Sequence, residues 1–145
     1  GHLRGAAATS ESSINLRFNG DAGAAPSKYG WASLVAVGTT VSSNADNEDT
    51  DGPTIIPIPG ASAGASLFGA VQIWIPAYAD PVNYKATTWH AAKKSGTAEG
   101  DFTLRTGTIT WSDPAPITRV QLGVDSGFTN FATSSRLTLW GLVAS

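Results

Sequence analysis

Two histidines, eleven acidic side chains and five tryptophans are the residues of this 145-residue chain whose types could do chemistry. His90 is the one histidine beyond the extreme N-terminus, so a serine triad would have to be built on it. No Gly-x-Ser-x-Gly elbow is present to pair with it. A histidine beside Trp89, at the end of an alternating stretch, reads as a surface or cap residue. Neither a His-rich metal pattern nor a Walker-type or dinucleotide phosphate loop occurs. Asn47-x-Asp49-x-Asp51-Gly52 matches the opening of a calcium loop, where alternating oxygen ligands wrap the ion and glycine permits the turn. Its twelfth position is Ile58 instead of a bidentate Glu, and Pro53 follows the glycine directly. The stretch 46–51 therefore reads as a solvated acidic loop, with a calcium site completed from elsewhere as the alternative. A glycosidase pair needs two carboxylates roughly 5 to 10 Å apart across a cleft. The acidic residues here fall mostly in loops, and no pair stands out. The expectation is a protein that is not an enzyme and holds no metal or cofactor.

The aromatic residues offer binding instead of reaction chemistry. Trp31 and Trp111 lie in apolar contexts and are expected in the core. Trp74 alternates against Val71, Ile73 and Ile75, and Trp140 against Leu137 and Leu139, so both rings point to the other face of their strands. Exposed, they would stack on sugar rings or anchor a subunit interface. Covered, they would belong to a second half of the core. Trp74 and Trp140, with Trp89, are the candidate binding or interface residues.

Composition narrows the classes further. Apolar residues make up 41% and charged ones 14%, too apolar for a disordered chain. The longest uncharged apolar run, Leu67 to Ala79, is broken by Gly69, Gln72 and Pro76 and falls short of the ~20 residues that span a bilayer, so no membrane insertion is expected. Nine basic and eleven acidic residues are scattered, with Lys93-Lys94 the only basic cluster, so nucleic acid is not an expected partner. The absence of cysteine excludes disulfides and thiolate metal sites without indicating a compartment. No signal peptide is expected within the first thirteen residues, which lack an apolar stretch. With no methionine in the chain, Gly1-His2 is read as a scar or as the cut end of a longer protein.

The elements that must carry these residues are strands. Ile14, Leu16 and Phe18 alternate with Ser13, Asn15 and Arg17 before Asn19-Gly20-Asp21 turns the chain. Tyr29 to Val37 is a second strand, and 42–53 reads as an exposed polar loop. Three prolines between 53 and 59 predict an edge strand or extended loop. Further strands are expected around Val71, Ile73 and Ile75, over 83–90, and over 102–111 with Gly107 as a candidate bulge. Residues 118–124 place Val120, Leu122 and Val124 inward, and 135–142 forms a last strand with Leu137 and Leu139 inward. Residues 95–101 read as a turn, and 88–94 as a helix candidate ranking below a loop. Residues 1–12 are expected to be a flexible N-terminal arm or linker, and 13–145 a single domain. The expected fold is all-β, a jelly-roll-like two-sheet antiparallel β-sandwich of about eight strands.

Ser13-Ile14-Asn15-Leu16-Arg17-Phe18-Asn19-Gly20-Asp21, followed by Tyr29-Gly30-Trp31, resembles an opening strand of many virion surface proteins of tailed bacteriophages and prophages. The stretch Ile117 to Leu122, then Phe131, then Ser134 to Leu142, is similar to their closing hairpin. There the last strand usually reads Ser-Arg-x-x-Leu-Tyr-Gly-Leu, and Trp140 replaces the tyrosine. Lys85 with Thr87-Thr88 looks like a middle strand of the same family. The resemblance implies a β-sandwich displayed on the virion, at the tail or on the head, usually a homo-oligomer and often a trimer. Its expected partners are further copies of itself, other virion proteins and, for a distal tail fibre or receptor-binding domain, a host surface glycan. That tail domain is the first expectation. A head-decoration or cement protein stabilising the capsid and a carbohydrate-binding module are the alternatives.

Overall fold

Period-2 alternation becomes strand pairing through most of the chain. The computed structural model describes residues 1–22, 28–49, 52–125 and 129–141. Its strands are β1 (His2–Leu3), β2 (Glu11–Phe18), β3 (Tyr29–Val37), β4 (Thr40–Asp49), β5 (Thr54–Pro59), β6 (Gly69–Trp74), β7 (Lys85–Lys94), β8 (Phe102–Trp111) and β9 (Val120–Val124). They pair antiparallel into a six-stranded sheet, β1-β6-β7-β8-β3-β4, and a three-stranded sheet, β5-β2-β9. The fold is the all-β, two-sheet sandwich that the alternation predicts.

The core lies between the layers. β7 alternates buried and exposed along most of its length, with Lys85, Thr87, Trp89, Ala91 and Lys93 turned inward. Ile14, Leu16, Phe18, Ile56, Ile58 and Val124 answer from the smaller sheet. Phe18 stacks at a tilt on Trp111, with centroids 5.7 Å apart, and on Tyr29 at 6.3 Å. The prolines of β5 obey edge chemistry. Pro57 and Pro59 sit two residues apart, so both missing N–H groups face the same side, and β5 ends its sheet.

Several expectations are corrected. Residues 1–12 are no free arm: β1 extends the large sheet and Leu3 is buried. Arg4, also buried, donates to the carbonyls of Ala61, Ala63, Gly64 and Ala65 at 2.6 to 3.1 Å. A run of small residues suits close packing as well as it suits a linker; a Cβ at Gly5 would lie 2.8 Å from Ser12 Oγ. Most of the expected 42–53 loop is β4, paired along β3 through a tight turn in which Gly38 takes φ 55°. The short helix candidate at 88–94 is β7. Gly107 is not a bulge, for β8 keeps continuous register with both neighbours. It sits directly across from Trp89, and a Cβ there would lie 2.9 Å from the indole and 2.4 Å from the Ala32 carbonyl oxygen. Glycine at this point makes room for one of the two buried indoles of the core.

The expected last strand also fails to form among the described residues. Arg136 makes an isolated bridge to His2, Leu137 and Leu139 are exposed, and Leu142 lies outside the described residues. β1 is only two residues long, too short to template a neighbour. Of the other expected inward residues, Ile14, Leu16, Phe18 and Val71 are buried. Ile73 and Leu122 pack at the core margin, and Val120 is exposed at the start of β9.

Candidate functional site

The outer face of the six-stranded sheet is set by register. One row across it reads Val41, Ala36, Leu104, Ala92 and Ala70. The next reads Ser43, Leu34, Thr106, His90 and Gln72, and the third Ala45, Ala32, Thr108, Thr88 and Trp74. These three rows contain no carboxylate and no lysine or arginine. Val41, Leu34, Leu104 and Trp74 stand exposed, with Trp74 51% accessible. The threonine hydroxyls are tied down: Thr106 Oγ1 donates to the Trp89 carbonyl and meets His90 Nδ1 at 2.8 Å, and Thr108 Oγ1 donates to the Thr87 carbonyl. Beside the third row, Gly30, Ala32, Ala45, Thr108 and Thr110 floor a shallow depression with Trp31 and Asp46 at its margin.

The three tryptophans singled out from sequence separate. Trp74 is on this outer face. Trp140 is 83% exposed on the irregular segment after the Arg136 bridge, outside any strand. Trp89 is fully buried, and its place as a contact residue is overturned: it sits mid-strand on the inward phase of β7, where the smaller sheet covers it. Its Nε1 finds no acceptor among the described residues. Of the expected core rings, Trp111 is buried and Trp31 packs at the core margin.

A second concave place opens where the two sheets part. Glu11, Ser12 and Ser13 of β2, Pro57 of β5, Val35 and Val37 of β3, Lys93 of β7, Thr103 and Arg105 of β8, and Asp125 line a cleft of about 340 Å³. Lys93 is buried and pairs with the exposed Glu11 carboxylate. Asp125 takes φ 55° just past β9, and its Oδ1 accepts the Ser13 N–H at 3.0 Å. Arg105 Nε and Nη2 donate to Ser33 Oγ and Nη1 to the Ile55 carbonyl, while its guanidinium lies 5.5 Å from the Trp31 ring centroid and 5.8 Å from that of Trp89. Burial pushes the Arg105 pKa down. Sequence reading missed this site because its residues are scattered over five strands; the only signal was that Lys93 and Arg105 fall on the inward phase.

The remaining titratable clusters are self-satisfied. Lys28 bridges Asp113 and Asp21, which raises its pKa, and Asp21 also accepts the Trp111 indole N–H at 2.9 Å. Asp80 is held down to about 2 by the Asn83 side chain and the N–H groups of Val82 and Asn83. No group of three metal-ligating side chains occurs among the described residues. For the calcium reading, Asn47 lies on β4, but the Asp49 side chain and all of Asp51 fall outside the described residues. No known protein family, curated protein or solved structure matches the chain.

Proposed function

We propose that this chain is a non-enzymatic virion surface domain of a tailed bacteriophage, a distal tail domain that assembles with copies of itself and contacts the host surface. The observation that carries the assembly part is the run of three uncharged rows on the outer face of the six-stranded sheet, with Trp74, Leu34, Leu104 and Val41 exposed on them. Exposed β-sheet faces are ordinarily kept in water by charged side chains, and a broad apolar patch marks a contact surface. A second copy is its natural occupant, because closed symmetry covers the face with one repeated contact and leaves nothing open to further growth. The virion part rests on the resemblance of residues 13–21, 29–31, 117–122, 131 and 134–142, with Lys85 and Thr87-Thr88, and the trimer is preferred on that ground.

Light scattering over a roughly hundredfold dilution tests the assembly. An oligomer should persist at high concentration, burying at least about 1,000 Å² in total. Trp74→Ala and Leu104→Arg should each weaken it, the arginine more, by placing an unpaired charge in the contact. A mass of 14.9 kDa at every concentration would reject the proposal.

A further inference from the structure

We propose that the cleft between the two sheets binds a small hydroxylated carboxylate, a sugar acid being the class that fits, with Arg105 taking the carboxylate. This gives the host-surface contact proposed above a site, and rests on that reading only for where the ligand comes from.

Arg105 is the reason to expect an anion. Its bonds to Ser33 and Ile55 use the Nε hydrogen, one on Nη1 and one on Nη2, leaving one N–H on each terminal nitrogen. Both remain for a ligand carboxylate to accept. No carboxylate pairs with Arg105 among the described residues, although its guanidinium is partly withdrawn from water between the Trp31 and Trp89 rings. A cation in that position is costly until an anion reaches it. Its ring contacts and fixed bonds hold the guanidinium in place beforehand, so little ordering is needed on binding.

The other walls say what the anion is attached to. Lys93 and Arg105 are matched in number by Glu11 and Asp125, so the cleft is neutral overall, which disfavours a dianion such as phosphate more than a single negative charge. Asp125 Oδ1 is engaged by Ser13, which leaves Oδ2 to accept a ligand hydroxyl. Ser12, Ser13 and Thr103 add small polar residues to the lining, while Val35, Val37 and Pro57 supply the apolar wall against which a sugar ring lays its C–H face. At about 340 Å³ the space is near the small end of ligand pockets and suits one sugar residue.

Isothermal titration of the full chain with D-glucuronate, D-glucose, acetate and inorganic phosphate is the test. Glucuronate should bind with Kd of about 1–10 mM, and the other three at least about tenfold more weakly. Arg105→Gln should abolish binding. Because that change also removes the bonds to Ser33 and Ile55, Val37→Trp provides a second variant, filling the cleft from a position 42% exposed. Loss of glucuronate binding in a folded Val37→Trp protein supports the site, and retained binding overturns it. No binding of glucuronate to the parent chain overturns it too. Acetate or phosphate binding as tightly as glucuronate overturns the sugar-acid assignment. The assembly readout is separate: a monomer that binds glucuronate leaves the cleft standing, and an oligomer that does not bind it sinks the cleft alone.

Discussion

The two faces of the six-stranded sheet are made by the same strands, yet they differ in what they require of a side chain. Along β7 the inward set is Lys85, Thr87, Trp89, Ala91 and Lys93, and the outward set is Ala86, Thr88, His90, Ala92 and Lys94. Neither face is rich in charge. The inner face differs by size and cover: Trp89, Trp111, Ile109 and Tyr29 fill the space beneath the smaller sheet. Its two lysines stand at the ends of the strand, where Lys85 Nζ reaches the carbonyls of Asn83 and Pro114, and Lys93 reaches Glu11. That is how a long aliphatic stem is buried while its ammonium finds oxygen at the margin. The outer face carries alanine, threonine and glycine with a few large apolar residues. Folding does not need that choice, since lysine and glutamate would serve an uncovered strand as well. The lesson is that low charge has two causes here, burial on one face and, on our reading, contact on the other.

The largest expected effect falls on the inner face. Trp89→Ala should cost about 3–5 kcal/mol in denaturant unfolding, because it empties the centre of the core. A loss near zero would mean that the inner face is not the core. Gly107→Ala should cost about 1–3 kcal/mol, since the added methyl meets both the Trp89 ring and the Ala32 carbonyl. Combined with Trp89→Phe, the part of that cost due to the ring should disappear in a double-mutant cycle, while the part due to the Ala32 carbonyl remains; strict additivity would break the proposed pairing.

Tyr29 marks the inner margin by pH. Its hydroxyl accepts the Phe18 N–H at 2.9 Å, and burial pushes its pKa from 10.0 up to about 12. The unfolded chain ionises first, so this residue's contribution is whole below pH 10 and is lost as pH rises towards 12. Tyr29→Phe should flatten the stability profile in that window, and an unchanged slope would assign the alkaline loss to other groups. On the outer face, Trp74→Ala should shift monomer stability by less than about 0.5 kcal/mol while weakening assembly. A large loss of stability in the monomer would make Trp74 a core residue and erase the contrast between the faces.

Strands with one covered face were legible from the chain. Ile14, Leu16 and Phe18, the Phe102–Trp111 strand and the proline-marked edge at 53–59 all declare themselves through alternation or a missing donor. β4 was illegible for a physical reason. Pairing with β3 alone and exposed throughout the part whose side chains are described, it needs no apolar alternation, and polar residues pair their backbones as well as apolar ones do. The segment 135–141 erred the other way, since its alternation has no partner strand long enough to use it. Trp74 was placed correctly opposite Val71, but Trp89 was not, although it lies on the same phase as the buried Thr87 and Ala91. Its neighbour His90 suggested a strand end where β7 in fact runs on to Lys94.

The amino-acid sequence by itself determined the class of the fold, because the pleat has period two and turns need glycine, proline or asparagine. It also determined which faces of the well-patterned strands go inward. Tertiary structure alone decided which strands lie side by side, and with that the composition of each outer row. It decided that Gly107 faces Trp89, that Arg4 closes the 61–65 loop, and that Arg105 and Asp125, twenty residues apart in the chain, line one cleft. Local patterning acts through the nearest few residues. Pairing and layer contact act across the whole chain, and a cleft between two sheets exists only once both are in place.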